Sequence, residues 1–184
     1  RPALLRAVPW LVPLGAAALF AIAGGLVWLQ AGARRRDTAL YRAAVADHVN
    51  DVVKKVGRPG WQTSPEGLSS FALAATGTAD VLSRISLTDT RLVRARACRL
   101  GGIVFAHFIY EADGREFSVF VRRDRASLRG PTLDVVRDRP VRGCDVDDFG
   151  SVGFQTQDLT VLIVADSPRD DVLRLARRLV EQLS

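Results

Sequence analysis

Residues 98–123 read CRLGGIVFAHFIYEADGREFSVFVRR, and two dipeptides within them decide the fold. Gly101-Gly102 and Asp113-Gly114 are strong hairpin signals, because a two-residue type I′ turn needs positive φ at both central positions. Taken literally, the two turns set three strands in register. Ala97 then faces Ala106 and Val121, Ala95 faces Phe108 and Val119, and Val93 faces Tyr110 and Phe117. Every member of that face is apolar or aromatic. Strand side chains alternate with a period of two, so agreement between two separate turns predicts an antiparallel meander.

The opposite face places Cys98 beside Phe105, Arg96 beside His107 and Phe120, and Arg94 beside Ile109 and Ser118, with Arg122 at one edge. His107 thus meets a guanidinium and no carboxylate. A neighbouring cation disfavours imidazolium, so the strand pairing builds no general base. Glu111, Asp113 and Glu116 gather at the second turn as solvated carboxylates. Glu111 and Glu116 would oppose each other, a cost that a four-residue loop would relieve. Arg94, Arg96, His107 and Arg122 together are the expected partner-binding face.

Working outward, Tyr41, Ala44, Val45, His48, Val49, Val52 and Val56 recur at helical spacing, with Asp37 as a cap and the Gly-Arg-Pro-Gly run at 57–60 as the end. His48 lies on or beside that apolar stripe, as a packed histidine would. Ser64 and Pro65 open a short helix reaching Leu73. Residues 154–166 read as a strand pair turning at Gln157-Asp158. A helix follows, with Ser167 as cap, Pro168 in the first position and Asp170 and Asp171 at the positive end of the dipole. Its stripe of Val172, Leu175, Ala176, Leu179, Val180 and Leu183 is expected to pack on the sheet. Residues 125–148, of mixed charge with Pro131, Pro140 and Gly143, read as a loop.

Upstream, residues 7–33 contain no charged side chain. A bilayer core of roughly 30 Å needs about 20 apolar residues as a helix, so this run is long enough to span it. Trp10 and Trp28 near its ends suit the two headgroup layers, and Pro9 and Pro13 fall where missing amide donors cost least. A cleaved signal peptide would carry a shorter apolar region. The expected organisation is a transmembrane anchor over 1–33, a membrane-proximal helix over 34–57 and an α+β domain over 58–184, its antiparallel meander packed by helices. Arg34, Arg35, Arg36 and Arg42 follow the apolar run against Arg1 and Arg6 before it, a bias toward a cytoplasmic domain; long domains, however, cross largely regardless of charge. The chain opens on Arg1 and holds no methionine, as a fragment or processed product would.

The net charge of +6 is carried almost wholly by arginine, since Lys54 and Lys55 are the only lysines. The arginines are interleaved with Asp and Glu along the chain, so no nucleic-acid partner is read from them. No catalytic template appears: Gly150-Ser151-Val152-Gly153 lacks nucleophile-elbow spacing, and phosphate-cradling glycine loops, paired CxxC and HExxH are missing. His48 and His107 stand too far apart in sequence to suggest zinc. The reading is of a protein that is not an enzyme and uses no cofactor. Cys98 and Cys144 leave three readings open: a disulfide closing a loop of about 45 residues, two unrelated small packed residues, or a redox-sensing pair.

The order of these blocks resembles the membrane and extracytoplasmic half of bacterial transmembrane anti-sigma factors, regulators that restrain extracytoplasmic-function sigma factors. The matching blocks are the apolar run, AVADHVNDV at 44–52, LVRARACRLGGIVFAHFIYEADGREFSVFV at 92–121 and DLTVLIVADSPRDDVLRLA at 158–176. The resemblance implies a single-pass inner-membrane protein with its C-terminal domain outside the cytoplasm, in contact with membrane lipid and open to a regulatory protease. It also implies a sigma factor held by a cytoplasmic N-terminal module, often zinc-binding, whose HxxxCxxC pattern does not occur in these residues. A membrane-anchored assembly or interaction subunit without a transcriptional role is the alternative from another class, and a redox-responsive domain using Cys98 and Cys144 is a third.

Overall fold

Seven strands form one antiparallel sheet in the computed structural model, which describes residues 38–184 apart from 79, 125, 127 and 184. The expected membrane helix over 7–33 and the Asp37 cap lie outside the described residues; among the described residues no helix is long and apolar enough to cross a membrane. In chain order, α1 (Ala39–His48) continues into a π-helical turn (Val49–Val53). Then come α2 (Pro65–Thr76), α3 (Val81–Ile85), β1 (Arg91–Leu100), β2 (Ile103–Ala112), β3 (Arg115–Arg123), β4 (Thr132–Val136), β5 (Arg139–Val146), β6 (Phe149–Gln155), β7 (Leu159–Ala165) and α4 (Arg169–Gln182). The strand order β1-β2-β3-β7-β6-β5-β4 joins two meanders edge to edge along β3 and β7. The architecture is α+β.

Both expected hairpins are present, with Leu100 opposite Ile103 and Ala112 opposite Arg115 across turns whose residues all have positive φ. The register follows the expectation except at Val93. That residue bulges out, so Leu92 pairs with Tyr110 and Arg94 with Ile109. Glu111 and Glu116 do face each other, and the second turn keeps two residues. Arginines relieve the repulsion: Arg91 donates to Glu111 at 2.7 Å, and Arg94 holds Glu116 through two bonds of 2.9 and 3.0 Å.

Residues 125–148 correct the sequence reading, because they hold β4 and β5 where a loop was expected. Their hairpins turn on Arg137-Asp138, with φ of 47° and 62°, and on Asp147, with φ of 54°. Charged residues in left-handed conformations give no Gly or Asn signal. β4 is also an edge strand with neither face fully buried, so hydrophobic alternation is weak there.

One face of the sheet carries the larger apolar core, where Phe108, Tyr110, Val119, Phe154 and Ile163 pack under α2, α3 and α4. Ser64 caps α2 by accepting from Gly67 N at 3.1 Å, and Gly77 at φ 72° ends it. Ser167 does not cap α4 as expected; Pro168 stands at that position, and the Ser167 carbonyl instead accepts from Gly150 N at 3.1 Å. Gly150 has to be a glycine, since a Cβ there would lie 2.8 Å from Val172 Cγ2. On the other face, Tyr41, Ala44 and Val45 of α1 pack against Cys98, Leu100, Phe105, Phe120, Leu162 and Val164. Helix α1 therefore belongs to the same packed unit as the sheet. Along the outer edge of β1, Gln62 makes a two-bond bridge to Ala95, which shields backbone groups left open by the sheet.

Candidate functional site

Under α1 the sheet is polar. Strand alternation puts Arg96 and Cys98 of β1, His107 of β2 and Ser118 of β3 on the face opposite the larger core, and pairing sets Arg96 directly across from His107. α1 and its π turn then lower Asp47, His48 and Asp51 onto them. The two aspartates stand four positions apart, so they share one helix face. The π turn keeps Asp51 buried at 3 % exposure while Val53 remains half exposed.

Arg96 grips both carboxylates. Its Nη2 donates to the two oxygens of Asp47, each at 2.9 Å, and its Nε donates to Asp51 Oδ2 at 3.1 Å. Arg58, from the loop after the π turn, donates to Asp47 Oδ1 from the rim, where its side chain is 32 % exposed. Trp61 lies beneath the guanidiniums of Arg94 and Arg96 at 5.2 and 5.1 Å, and turns its edge to His107 at 5.5 Å. Phe120 stacks on the His107 ring at 4.2 Å.

His107 joins this charged group to a second line of polar atoms. Its Nδ1 lies 3.1 Å from Asp47 Oδ2 and 3.4 Å from Asp51 Oδ2. Its Nε2 lies 2.8 Å from Ser118 Oγ, which lies 2.8 Å from Nδ1 of His48. His48, His107 and Ser118 are all fully buried. The Nδ1 of His107 makes no aligned hydrogen bond despite its close carboxylates, and Asp51 Oδ1 has none either, with Arg58 Nε standing 3.6 Å away.

The electrostatics follow from burial set against pairing. Burial raises the Asp47 carboxyl, but the His107 imidazole at 3.1 Å, with Arg96 and Arg58, holds it at about 2. Asp51 is likewise lowered, burial being outweighed by the close His107 and by hydrogen bonds from Arg96. Burial disfavours the His48 imidazolium and, with the nearby His107, brings that group down to about 4, so His48 is neutral near pH 7. Burial, then the charge of Asp47, pushes the Cys98 thiol upward.

Ser118, His107 and Asp47 stand in the order nucleophile, base and acid. The serine is nonetheless sealed from solvent, shared with a second imidazole and roofed by α1. A substrate has no approach to it. What the arrangement does is fasten α1 to three strands with buried, directional contacts.

Three sequence expectations change here. His107 does meet carboxylates, because α1 supplies them from outside the sheet. Nor do Arg94, Arg96, His107 and Arg122 form an open basic face: Arg96 and His107 are buried under α1, and Arg94 is tied to Glu116 and to the carbonyl of Asp51 at 3.2 Å. Arg122 stays at the rim, donating to the Val104 carbonyl at 3.2 Å. The disulfide expectation is also corrected. Both cysteines are free, and the strand order puts β2, β3, β7 and β6 between them. Five strand spacings of about 4.8 Å amount to about 24 Å, against Cα separations of roughly 4.4–6.8 Å in a disulfide.

Sequence reasoning missed Asp47, Asp51, Arg58, Trp61 and Ser118. One signal was available: Asp47 and Asp51 flank His48 within the apolar stripe, where carboxylates are uncommon unless something pairs with them. The zinc module implied by the anti-sigma resemblance finds no HxxxCxxC ligand pattern in these residues. Comparison of the chain with protein-family models, with curated proteins and with solved structures gives no match.

Proposed function

We propose that the chain is the membrane-anchored sensor half of an anti-sigma factor, with the α+β domain outside the cytoplasm. The observation that carries this reading is the block order: an apolar run, then the helix with ADHVND, then the Cys-Arg-Leu-Gly-Gly meander, then the strand and helix ending at residue 182. The geometry is compatible with a signalling role in one respect. The first described helix after the apolar run is bound to the sheet through buried polar contacts that depend on protonation and on partners, while the far face of the sheet has an apolar core with ion pairs such as Arg177–Asp134 and Arg178–Asp89 at its exposed rim. A change in the domain that loosens α1 would then reach the chain leading back to the membrane, or bare a segment for a regulatory protease.

The test uses the full-length protein, including whatever precedes Arg1. Expressed with the extracytoplasmic-function sigma factors of its host, it is expected to co-purify with one of them, and a periplasm-only reporter fused after Ser184 is expected to be active. Failure to retain any such sigma factor, with the protein folded and in the membrane, overturns the reading in favour of an assembly or interaction subunit. A silent reporter overturns the orientation.

A further inference from the structure

The polar layer under α1 contains more ligand chemistry than fastening requires. Among the described residues, Asp47, Cys98 and His107 each offer one ligand atom, and these atoms all lie within 4.8 Å of one another. They come from three elements, α1, β1 and β2. We infer that Asp47, Cys98 and His107, with Asp51 as fourth ligand, bind a single divalent cation of the zinc class between the helix and the sheet.

Three observations converge on this site. The first is spacing. His107 Nδ1 lies 3.1 Å from Asp47 Oδ2 and 3.4 Å from Asp51 Oδ2, with Cys98 Sγ in the same cluster. Bonds of about 2.0–2.3 Å at tetrahedral angles separate ligand atoms by roughly 3.3–3.8 Å, close to the spacings of His107 Nδ1 from Asp47 and Asp51. The second is the unmet valence of a buried atom. Nδ1 of His107 has no hydrogen bond in a fully buried side chain, and an unpaired polar atom is expensive in that setting.

The third is the support behind His107. A metal-bound imidazole almost always donates its other N–H to a fixed acceptor. Here Nε2 lies 2.8 Å from Ser118 Oγ, which itself lies 2.8 Å from Nδ1 of His48, so the ring is fixed from behind. Its other nitrogen, Nδ1, faces Asp47 and lies in one cluster with Cys98. Thiolate, imidazole and carboxylate together select zinc and related borderline-soft ions over magnesium or calcium.

Charge identifies the moving part. In the cation-free cluster two carboxylates face the two guanidiniums of Arg96 and Arg58. Entry of a dication with loss of the Cys98 proton to solvent would leave excess positive charge unless one guanidinium withdraws. Arg96 is buried, whereas Arg58 sits at the rim and can turn to water. The site therefore opens by release of Arg58 from Asp47.

The inference does not depend on the regulatory reading, and its test leaves that reading untouched. The reduced full chain, purified in mild detergent, is loaded with Co²⁺ and dialysed. The expected result is about one cobalt per chain, a near-ultraviolet thiolate-to-cobalt charge-transfer band and displacement by Zn²⁺. The band should persist in Cys144→Ser, which assigns it to Cys98 without disturbing the site, and vanish in His107→Ala. Arg58→Gln should bind at least threefold more tightly. Absence of the band in the reduced chain, or its loss in Cys144→Ser, overturns the site; unchanged or weaker binding in Arg58→Gln overturns the gate.

Discussion

The two faces of the sheet are held by different physics. Under α2, α3 and α4 the buried core is apolar, non-directional and tolerant of small adjustments, with ion pairs only at its exposed rim. Under α1 an apolar patch is joined to a network in which each charged or polar member needs a particular partner. A hydrophobic core loses free energy in proportion to what is removed. A buried ionic network loses it abruptly when one member goes, because the others are left buried and unpaired.

Removing Arg96 is the strongest way to sharpen that difference. Arg96→Ala should destabilise by about 3–5 kcal/mol in denaturant unfolding, since Asp47 and Asp51 stay behind uncompensated. Phe108→Ala on the apolar face should cost a similar amount for a different reason, a cavity. Replacing the network jointly, with Asp47→Leu, Asp51→Leu and Arg96→Met, separates the two. The triple variant should unfold within about 1 kcal/mol of the natural chain or above it, and a loss as large as that of Arg96→Ala would refute the comparison.

Mild acid should act on the buried network of the α1 face. His48 takes up a proton near its ordinary 6.5 when unfolded but only at about 4 when folded, so between those values the unfolded chain binds more protons. Stability is then fully present above 6.5 and declines as the pH falls toward 4, by about 3 kcal/mol over the window. Unfolding curves for the chelator-treated chain at pH 7 and 4.5 measure this. His48→Gln should flatten the dependence, and an equally steep decline in that variant would point to other groups.

On the apolar face the expected effects are steric. Gly150→Val drives side-chain atoms into the start of α4, where Val172 Cγ2 and the Ser167 carbonyl stand 2.8 Å from any Cβ. A loss of about 1–3 kcal/mol is expected, with the pH dependence of the natural chain unchanged. Ser64→Ala is the smallest perturbation. It removes the Gly67 N–H acceptor at the start of α2 and should cost about 1 kcal/mol.

The meander was legible because its turns carry Gly-Gly and Asp-Gly and its inner face is unbroken. The second meander was half legible. β6 and β7 were found in part from their apolar runs, whereas β4 and β5 turn on Arg137-Asp138 and Asp147-Asp148, which carry no turn signature. The site was nearly illegible for another reason. Arg96 and His107 were correctly placed opposite each other, but which face of α1 would meet them is not a property of either segment.

The residues by themselves determined the three-stranded register, the apolar inner face, the capped start of α2 and the amphipathic α4, because each follows from local periodicity and turn geometry. Only the tertiary structure decided that α1 lies across the polar face, that Asp47 and Asp51 reach Arg96 and His107, and that four strands part Cys98 from Cys144. Such contacts join residues far apart in sequence. They depend on how a helix docks, which one chain's pattern of polar and apolar residues leaves open.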